Sequence, residues 1–221
     1  MIEILRSIAP ELQEINRFNA IIGKQKRNAE QAYLQSKMLL SESLEGLDAG
    51  NDPIEIRDAI ADVIVVAQGG CFIADAYQVG HIAGGALKLS SLDQIFTSSA
   101  DSVAAAWRWM QKPDAEEKRH PYYHSLELTI RRCVAYAASN NIPLKADLQA
   151  VNASNFSKFC KTFEEAQDTE SRYRMEKGIR TYWKTTGFAE YPWAVYAEEN
   201  TAFAPAGKLL KSINYQPPKF Q

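Results

Sequence analysis

The apolar run from Ile54 to Ala67 restricts the fold of this chain more than any other segment of its sequence. Asp52, Pro53 and Glu55 stand where an N-cap, a first helical residue and a third helical residue would stand, so the run predicts a helix. Because apolar residues occur on nearly every side of that helix, other parts of the chain must cover it all round. The sequence therefore predicts a bundle built around one buried helix.

Further helices are predicted along most of the chain. Apolar positions recur at helical spacing from residue 4 to residue 22, where Pro10 predicts a kink or a division. Additional helices are expected at about 29–47, 92–111, 122–139 and 145–159, and one more from a capping box of Thr162 and Glu165 to Gly178.

Gly69 and Gly70 interrupt the apolar pattern of the buried helix, and apolar spacing continues beyond them through Cys71, Ile73 and Ala74. Pro121 lies between His120 and His124, so a regular helix through both histidines is not expected. Their spacing is similar to that of zinc ligands, but we interpret both as surface residues.

The stretch 180–197 differs from the rest because aromatic residues surround Thr185-Thr186-Gly187, which predicts a small β-hairpin. After Ala204 the chain is expected to be loop-like. The predicted fold is mainly α, a helical bundle with a small C-terminal β-hairpin, and residues 1–221 are predicted to form a single domain.

Charge and composition exclude several classes of partner. The chain has 25 basic and 27 acidic residues and a net charge of −2, so no bulk basic surface attracts nucleic acid. No apolar stretch approaches the roughly 18 residues that a membrane span needs. Cys71, Cys133 and Cys160 form no CxxC pattern, which is typical of reduced thiols. We expect a cytoplasmic protein that binds neither nucleic acid nor membrane.

Two pairs of carboxylates suggest a metal site. Glu42 and Glu45 share one helix face, and Asp58 and Asp62 share another. Asp62 lies in an apolar context, where an ionised carboxylate is tolerated if it is paired or binds a metal. A hard divalent cation held by oxygens from two packed helices would satisfy both pairs. The alternative is that the glutamates are solvated and that Asp62 pairs with Arg57 or another base.

These residues resemble a known family, the MazG-like all-α NTP pyrophosphatases, and more specifically its phage-type members. The resemblance is carried by four blocks in order: Glu42-Ser43-Leu44-Glu45; Asp58-Ala59-Ile60-Ala61-Asp62-Val63; Val151-Asn152-Ala153-Ser154-Asn155-Phe156-Ser157-Lys158; and Gly207-Lys208-Leu209-Leu210-Lys211 with Asn214-Tyr215 and Pro217-Pro218. The family's commoner second motif is E-x-x-D, and Ala59 stands at that Glu position. Extra helices in 80–140 and an insertion at 159–206 have no counterpart.

The resemblance implies a magnesium-dependent hydrolase that converts a dNTP to its monophosphate and pyrophosphate, in control of the dNTP pool. It implies two or three Mg²⁺ (or Mn²⁺) ions per site, held by Glu42, Glu45, Asp58 and Asp62, with Glu42 or Glu45 as the general base. It also implies a homodimer or homotetramer, in the host cytoplasm if the protein is phage-encoded. The preferred substrate is expected to be dGTP, with dATP as the second choice.

Candidate substrate contacts come from the third and fourth blocks. Asn155 and Lys158 share a helix face and are candidates for phosphate and sugar contacts. Lys208 and Lys211 are candidates too, with a flexible tail as the alternative.

The first helix supplies candidates for recognition of the base, namely Asn16, Phe18 and Asn19, with Phe18 as a core residue in the alternative. A second interpretation of the whole chain is a non-catalytic helical interaction protein with a structural metal site.

Overall fold

The computed structural model describes residues 2–75 and 90–220. The described chain is mainly helical with one two-stranded antiparallel sheet, which confirms the predicted fold class. Its elements are α1 (Ile2–Ser7), α2 (Ala9–Ile21), α3 (Ala29–Asp48), α4 (Pro53–Ile73), α5 (Leu92–Met110), α6 (Glu116–Ser139), α7 (Leu144–Phe156), α8 (Phe163–Lys177), β1 (Thr181–Thr185) and β2 (Trp193–Ala197).

The chain groups into two compact units, residues 1–149 with 219–221 and residues 150–218. A single domain over 1–221 stays a prediction. The predicted extra helices of 80–140 correspond, where the structure describes them, to α5 and α6 in the first unit. The predicted insertion at 159–206 corresponds to α8 and the hairpin in the second unit.

Helix α4 is the centre of the first unit, as predicted from its apolar run. The Asp52 carboxylate accepts hydrogen bonds from the backbone N–H groups of Ile54 and Glu55, at 2.9 and 3.2 Å, and so caps the helix. Helices α2, α3 and α6 pack against α4, and α5 packs against α3 and α6. The apolar side chains of α4 from residue 59 onward are largely buried by these neighbours, which accounts for its lack of a polar face.

Gly69 and Gly70 lie inside α4, which continues to Ile73 in agreement with the apolar spacing beyond the two glycines. A Cβ atom on Gly70 would lie 2.7 Å from Leu126 Cδ1 and 2.7 Å from the Tyr122 hydroxyl oxygen. The absence of a side chain therefore lets α6 approach α4 closely. These glycines are packing residues within a helix rather than helix breakers.

The prediction that Pro121 prevents a regular helix through His120 and His124 is wrong, since α6 runs through it without a break. Pro121 is exposed and lies near the start of the helix, where the loss of one backbone hydrogen bond faces solvent. His120 and His124 are exposed, as expected for surface residues.

The local predictions for residues 4–22, for the ends of α8 and for the hairpin are confirmed. Residues 4–22 divide into α1 and α2, with Pro10 in the first turn of α2. The Thr162 hydroxyl accepts from the Glu165 backbone N–H at 3.1 Å and caps α8, and Gly178 ends that helix with a left-handed φ of 62°. Strands β1 and β2 pair antiparallel with Thr181 opposite Ala197, which is the predicted aromatic hairpin. In the described residues no helix combines the length and apolarity that crossing a bilayer requires.

We predict that Gly70→Ala destabilises the protein by about 1–3 kcal/mol, because the new methyl group overpacks a buried contact. Helix propensity alone predicts the opposite sign, since alanine is favoured over glycine by about 1 kcal/mol inside a helix. Urea unfolding of the two proteins measures the difference. An alanine variant as stable as the wild type, or more stable, would show that α4 and α6 are not in close contact at this position.

Candidate functional site

Two contacts set the register between α3 and α4. The Gln35 side-chain amide donates to the Val66 carbonyl oxygen at 2.8 Å. Eleven residues further along α3, a Cβ on Gly46 would lie 3.3 Å from the Ala59 Cβ. Residues further along α3 therefore lie opposite residues earlier in α4. The two helices run antiparallel and in close contact.

Glu42 and Asp62 lie between these two contacts. Glu42 is four residues before Gly46, and Asp62 is three residues after Ala59, so each shares the helix face that meets the other helix. Linear interpolation along the two helices puts these carboxylates at the same level. Both side chains are half-buried.

Glu45 and Asp58 form the second level of the arrangement, one turn along each helix. Asp58 is half-buried and Glu45 is exposed. Burial raises the pKa of the Asp58 carboxyl, and the negative charges of Glu55 and Glu45 raise the pKa further. Asp58 and Glu45 thus interact as like charges across the helix pair.

In the described residues, no three His, Cys, Asp or Glu side chains are grouped closely enough to form a metal site. Carboxylates are the ligand type that a hard divalent cation prefers, and the repulsion between Asp58 and Glu45 shows that carboxylates of the two helices lie near each other. A cation would have to draw these side chains together. The assignment of Glu42, Glu45, Asp58 and Asp62 as metal ligands stays a prediction.

Arg57, the base proposed as an alternative partner of Asp62, forms a bidentate ion pair with Asp147. The distances are 3.0 Å from Nε to Oδ2 and 2.5 Å from Nη2 to Oδ1. Asp147 is 1% exposed, and the Phe220 ring lies 5.6 Å from the guanidinium carbon. The hydrogen bond to Asp147 is the main cause of a raised Arg57 pKa, so the guanidinium stays charged.

A polar cluster lies further along the same helix pair, around Gly69. A Cβ on Gly69 would lie 2.7 Å from Gln35 Nε2 and 3.2 Å from both Asn19 Oδ1 and Lys24 Nζ. The Lys24 amine donates to Gln35 Oε1 at 2.7 Å. We call Asn19, Lys24 and Gln35 the Gly69 cluster.

Of the two amides predicted to recognise the base, one belongs to this cluster and the other contacts Gln68, the residue before Gly69. Asn19 belongs to it and is 3% exposed, and its side-chain amide donates to the Ile15 carbonyl oxygen at 2.7 Å. Asn16 accepts a hydrogen bond from Gln68 at 2.9 Å. Phe18 is half-buried, and its proposed stacking on a base stays a prediction.

Three of these polar residues were not among the sequence candidates, namely Lys24, Gln35 and Gln68. A signal for Gln35 exists, because it precedes Glu42 by seven residues and therefore shares its helix face. Lys24 had no such signal, since it falls in a basic turn from residue 24 to residue 27. Burial lowers the pKa of Lys24 to about 8.

The second unit holds the third resemblance block. Lys158 Nζ donates to Asn155 Oδ1 at 2.5 Å, so the two predicted neighbours do meet. The predicted shared helix face is wrong, because α7 ends at Phe156 and Lys158 lies in the turn that follows. The Ser154 hydroxyl donates to the Tyr215 hydroxyl at 3.2 Å, and the Gln216 N–H donates to the Ser157 hydroxyl at 2.9 Å. The structure thus brings the third and fourth blocks together.

The C-terminal segment is irregular, as expected, but hydrogen bonds hold its backbone. The Ala197 N–H donates to the Lys208 carbonyl oxygen at 3.0 Å, and the Leu210 N–H donates to the Val195 carbonyl oxygen at 2.9 Å. Lys208 and Lys211 have exposed side chains, with the Lys211 amine 4.1 Å from the centre of the Tyr215 ring. Their contact with a substrate stays a prediction.

No protein-family model, curated protein or solved structure matches this chain. The resemblance to MazG-like pyrophosphatases therefore rests on the quoted sequence motifs and stays a prediction.

We predict that the wild type becomes more stable relative to Lys24→Met as the pH rises from about 8 towards 10.5, the ordinary pKa of lysine. Below pH 8 the folded state carries a buried cation at a cost. Between the two pKa values the unfolded state binds more protons than the folded state, so raising the pH favours folding. Methionine does not titrate. The difference in unfolding free energy between the two proteins therefore removes the contribution of every other titratable group.

Urea unfolding of both proteins between about pH 7 and about pH 10 measures this difference. A difference in unfolding free energy that stays constant over this range would show that the Lys24 amine is solvated.

Proposed function

We propose that this chain is a metal-dependent nucleoside triphosphate pyrophosphohydrolase that converts a dNTP to a dNMP and pyrophosphate. The observation that carries the proposal is the antiparallel register of α3 and α4, which puts Glu42 level with Asp62 and Glu45 close to Asp58. Carboxylate oxygens contributed by two packed helices are the ligands that hard divalent cations prefer. A triphosphate binds together with such cations.

Glu42, Glu45, Asp58 and Asp62 would hold Mg²⁺ or Mn²⁺, as two or three ions per site. When bound, such ions neutralise phosphate charge and acidify a water molecule. Either Glu42 or Glu45 then accepts the proton of the attacking water. The half-buried position of Glu42 and the exposed position of Glu45 give the two glutamates different surroundings for that role.

The Gly69 cluster supports the assignment of a nucleotide as the substrate. Gln35 precedes Glu42 by seven residues, and Gly69 follows Asp62 by seven residues. Seven residues span about 10 Å along a helix, the scale of the distance from a base to its phosphates. The amides of Asn16 and Asn19 would read the base there, while the carboxylates act on the triphosphate.

Several finer features of the proposal have the motif resemblance as their support. These are control of the dNTP pool, a preference for dGTP with dATP second, assembly as a homodimer or homotetramer, and action in the cytoplasm. Phosphate and sugar contacts from Asn155, Lys158, Lys208 and Lys211 belong to the same group.

We predict that the purified protein releases pyrophosphate and a monophosphate from at least one dNTP when Mg²⁺ is present. Asp62→Asn and Glu45→Gln each lower kcat/KM by more than about 100-fold, because losing a metal ligand costs more than losing one of the partners that orient a ligand. Both changes keep the side-chain volume, so far-UV circular dichroism stays helical.

Asp48→Asn is the matched control, since Asp48 is an exposed carboxylate in the last turn of α3. Its activity is expected to equal that of the wild type. Full turnover by Asp62→Asn in a folded protein would refute the metal-ligand assignment.

A second candidate function is a non-catalytic interaction protein. The observation in its favour is the exposure of large apolar side chains in the second unit, where Tyr182 and Trp183 are each 40% exposed and Phe203 is 62% exposed. The dNTP assay separates the two candidates, because an interaction protein hydrolyses none of the four common dNTPs with either Mg²⁺ or Mn²⁺.

A further inference from the structure

The Lys24 amine has donor capacity that the described part of the chain does not use. A lysine ammonium group carries three N–H donors. One donates to Gln35 Oε1, and among the described residues no carboxylate forms an ion pair with this amine. Two donors on a half-buried cation are therefore left for another acceptor.

The surroundings of the amine are rigid and polar. Gln35 is 5% exposed, and its amide is fixed at both ends, with Oε1 accepting from Lys24 and Nε2 donating to the Val66 carbonyl oxygen. The backbone N–H of Lys24 donates to the Asn19 carbonyl oxygen at 3.0 Å. Both ends of Lys24 are thus held, so its remaining donors have a defined position.

The position of the amine separates it from the phosphate end of a bound nucleotide. Gln35, its acceptor, lies about 10 Å along α3 from Glu42, where the proposed function puts the triphosphate. The groups beside it are side-chain amides, which suit the edge of a base rather than an anion. An ammonium donor at that edge forms a hydrogen bond with an exocyclic carbonyl oxygen of the base. An exocyclic amino group at the same place is itself a donor and leaves the ammonium group without an acceptor.

We infer that Lys24 is a specificity-determining residue that selects nucleotides whose base carries an exocyclic carbonyl oxygen over those carrying an amino group at the same place. This inference rests on the proposed function. It favours 6-oxopurines over 6-aminopurines, and 4-oxopyrimidines over 4-aminopyrimidines.

Two substrate pairs test the inference, because dITP and dATP differ at the 6-position and dUTP and dCTP differ at the 4-position. The wild type has a higher kcat/KM for the oxo member of the pair that it hydrolyses. Lys24→Met lowers that preference about tenfold or more, the usual effect of losing a hydrogen bond to a charged group, by lowering kcat/KM for the oxo member. Lys37→Met is the matched control, since Lys37 is an exposed lysine of α3 beside the Tyr33 ring, and it keeps the wild-type preference.

Two outcomes overturn the inference while the proposed function survives. One is a wild type that hydrolyses both members of its pair equally or favours the amino member, a result that needs no variant to fold. The other is an equal loss on both members in Lys24→Met, which would assign the amine to the sugar or the phosphates.

A different result would show that the proposed function itself fails, namely a wild type that hydrolyses none of these four triphosphates. Calorimetric binding of dIMP, dAMP, dUMP and dCMP without metal then decides the inference. Tighter binding of an oxo nucleotide by the wild type, abolished in Lys24→Met, supports it. Equal binding within both pairs overturns it.

Discussion

The close approach of α3 and α4 is the contact on which the proposed site depends. Gly46 and Ala59 are small enough to let the two helices meet, and the hydrogen bond from Gln35 to Val66 fixes their register at the other end. A slide of one residue along either helix would turn the carboxylates away from each other by about 100°. The common level of Glu42 and Asp62 along the two helices is thus a consequence of backbone packing.

That packing sets like charges against one another, which is unfavourable unless something compensates for it. Burial and neighbouring carboxylates raise the pKa of Asp58, while burial lowers the pKa of Lys24 along the same helix pair. Burial therefore disfavours the charged form of two groups of opposite charge, which lie about three helical turns apart. A ligand that is anionic with bound cations at one end and rich in hydrogen-bond acceptors at the other would relieve both.

Local chemistry made much of the fold predictable from sequence. The cap formed by Asp52 and the apolar run after it identified α4, and Thr162 and Gly178 identified the ends of α8. The effect of Pro121 was misjudged because it depends on the position of the proline in the helix and on its exposure, and the packing role of Gly70 depends on a residue distant in sequence. Gly70 serves the contact with Tyr122 in α6, and Pro121 is tolerated because it is exposed near a helix start. The candidate carboxylates could be predicted from their helical spacing. Lys24 could not, because a lysine in a turn has no periodic pattern around it.

The location of bound manganese tests the central claim most directly. Crystals grown with Mn²⁺ and a non-hydrolysable dNTP analogue would be measured at the manganese absorption edge. The account predicts anomalous peaks between α3 and α4, at the level of Glu42 and Asp62, with carboxylate oxygens at about 2.1–2.3 Å, the range for hard divalent cations. Those carboxylates turned apart into solvent, with the manganese bound elsewhere, would contradict it.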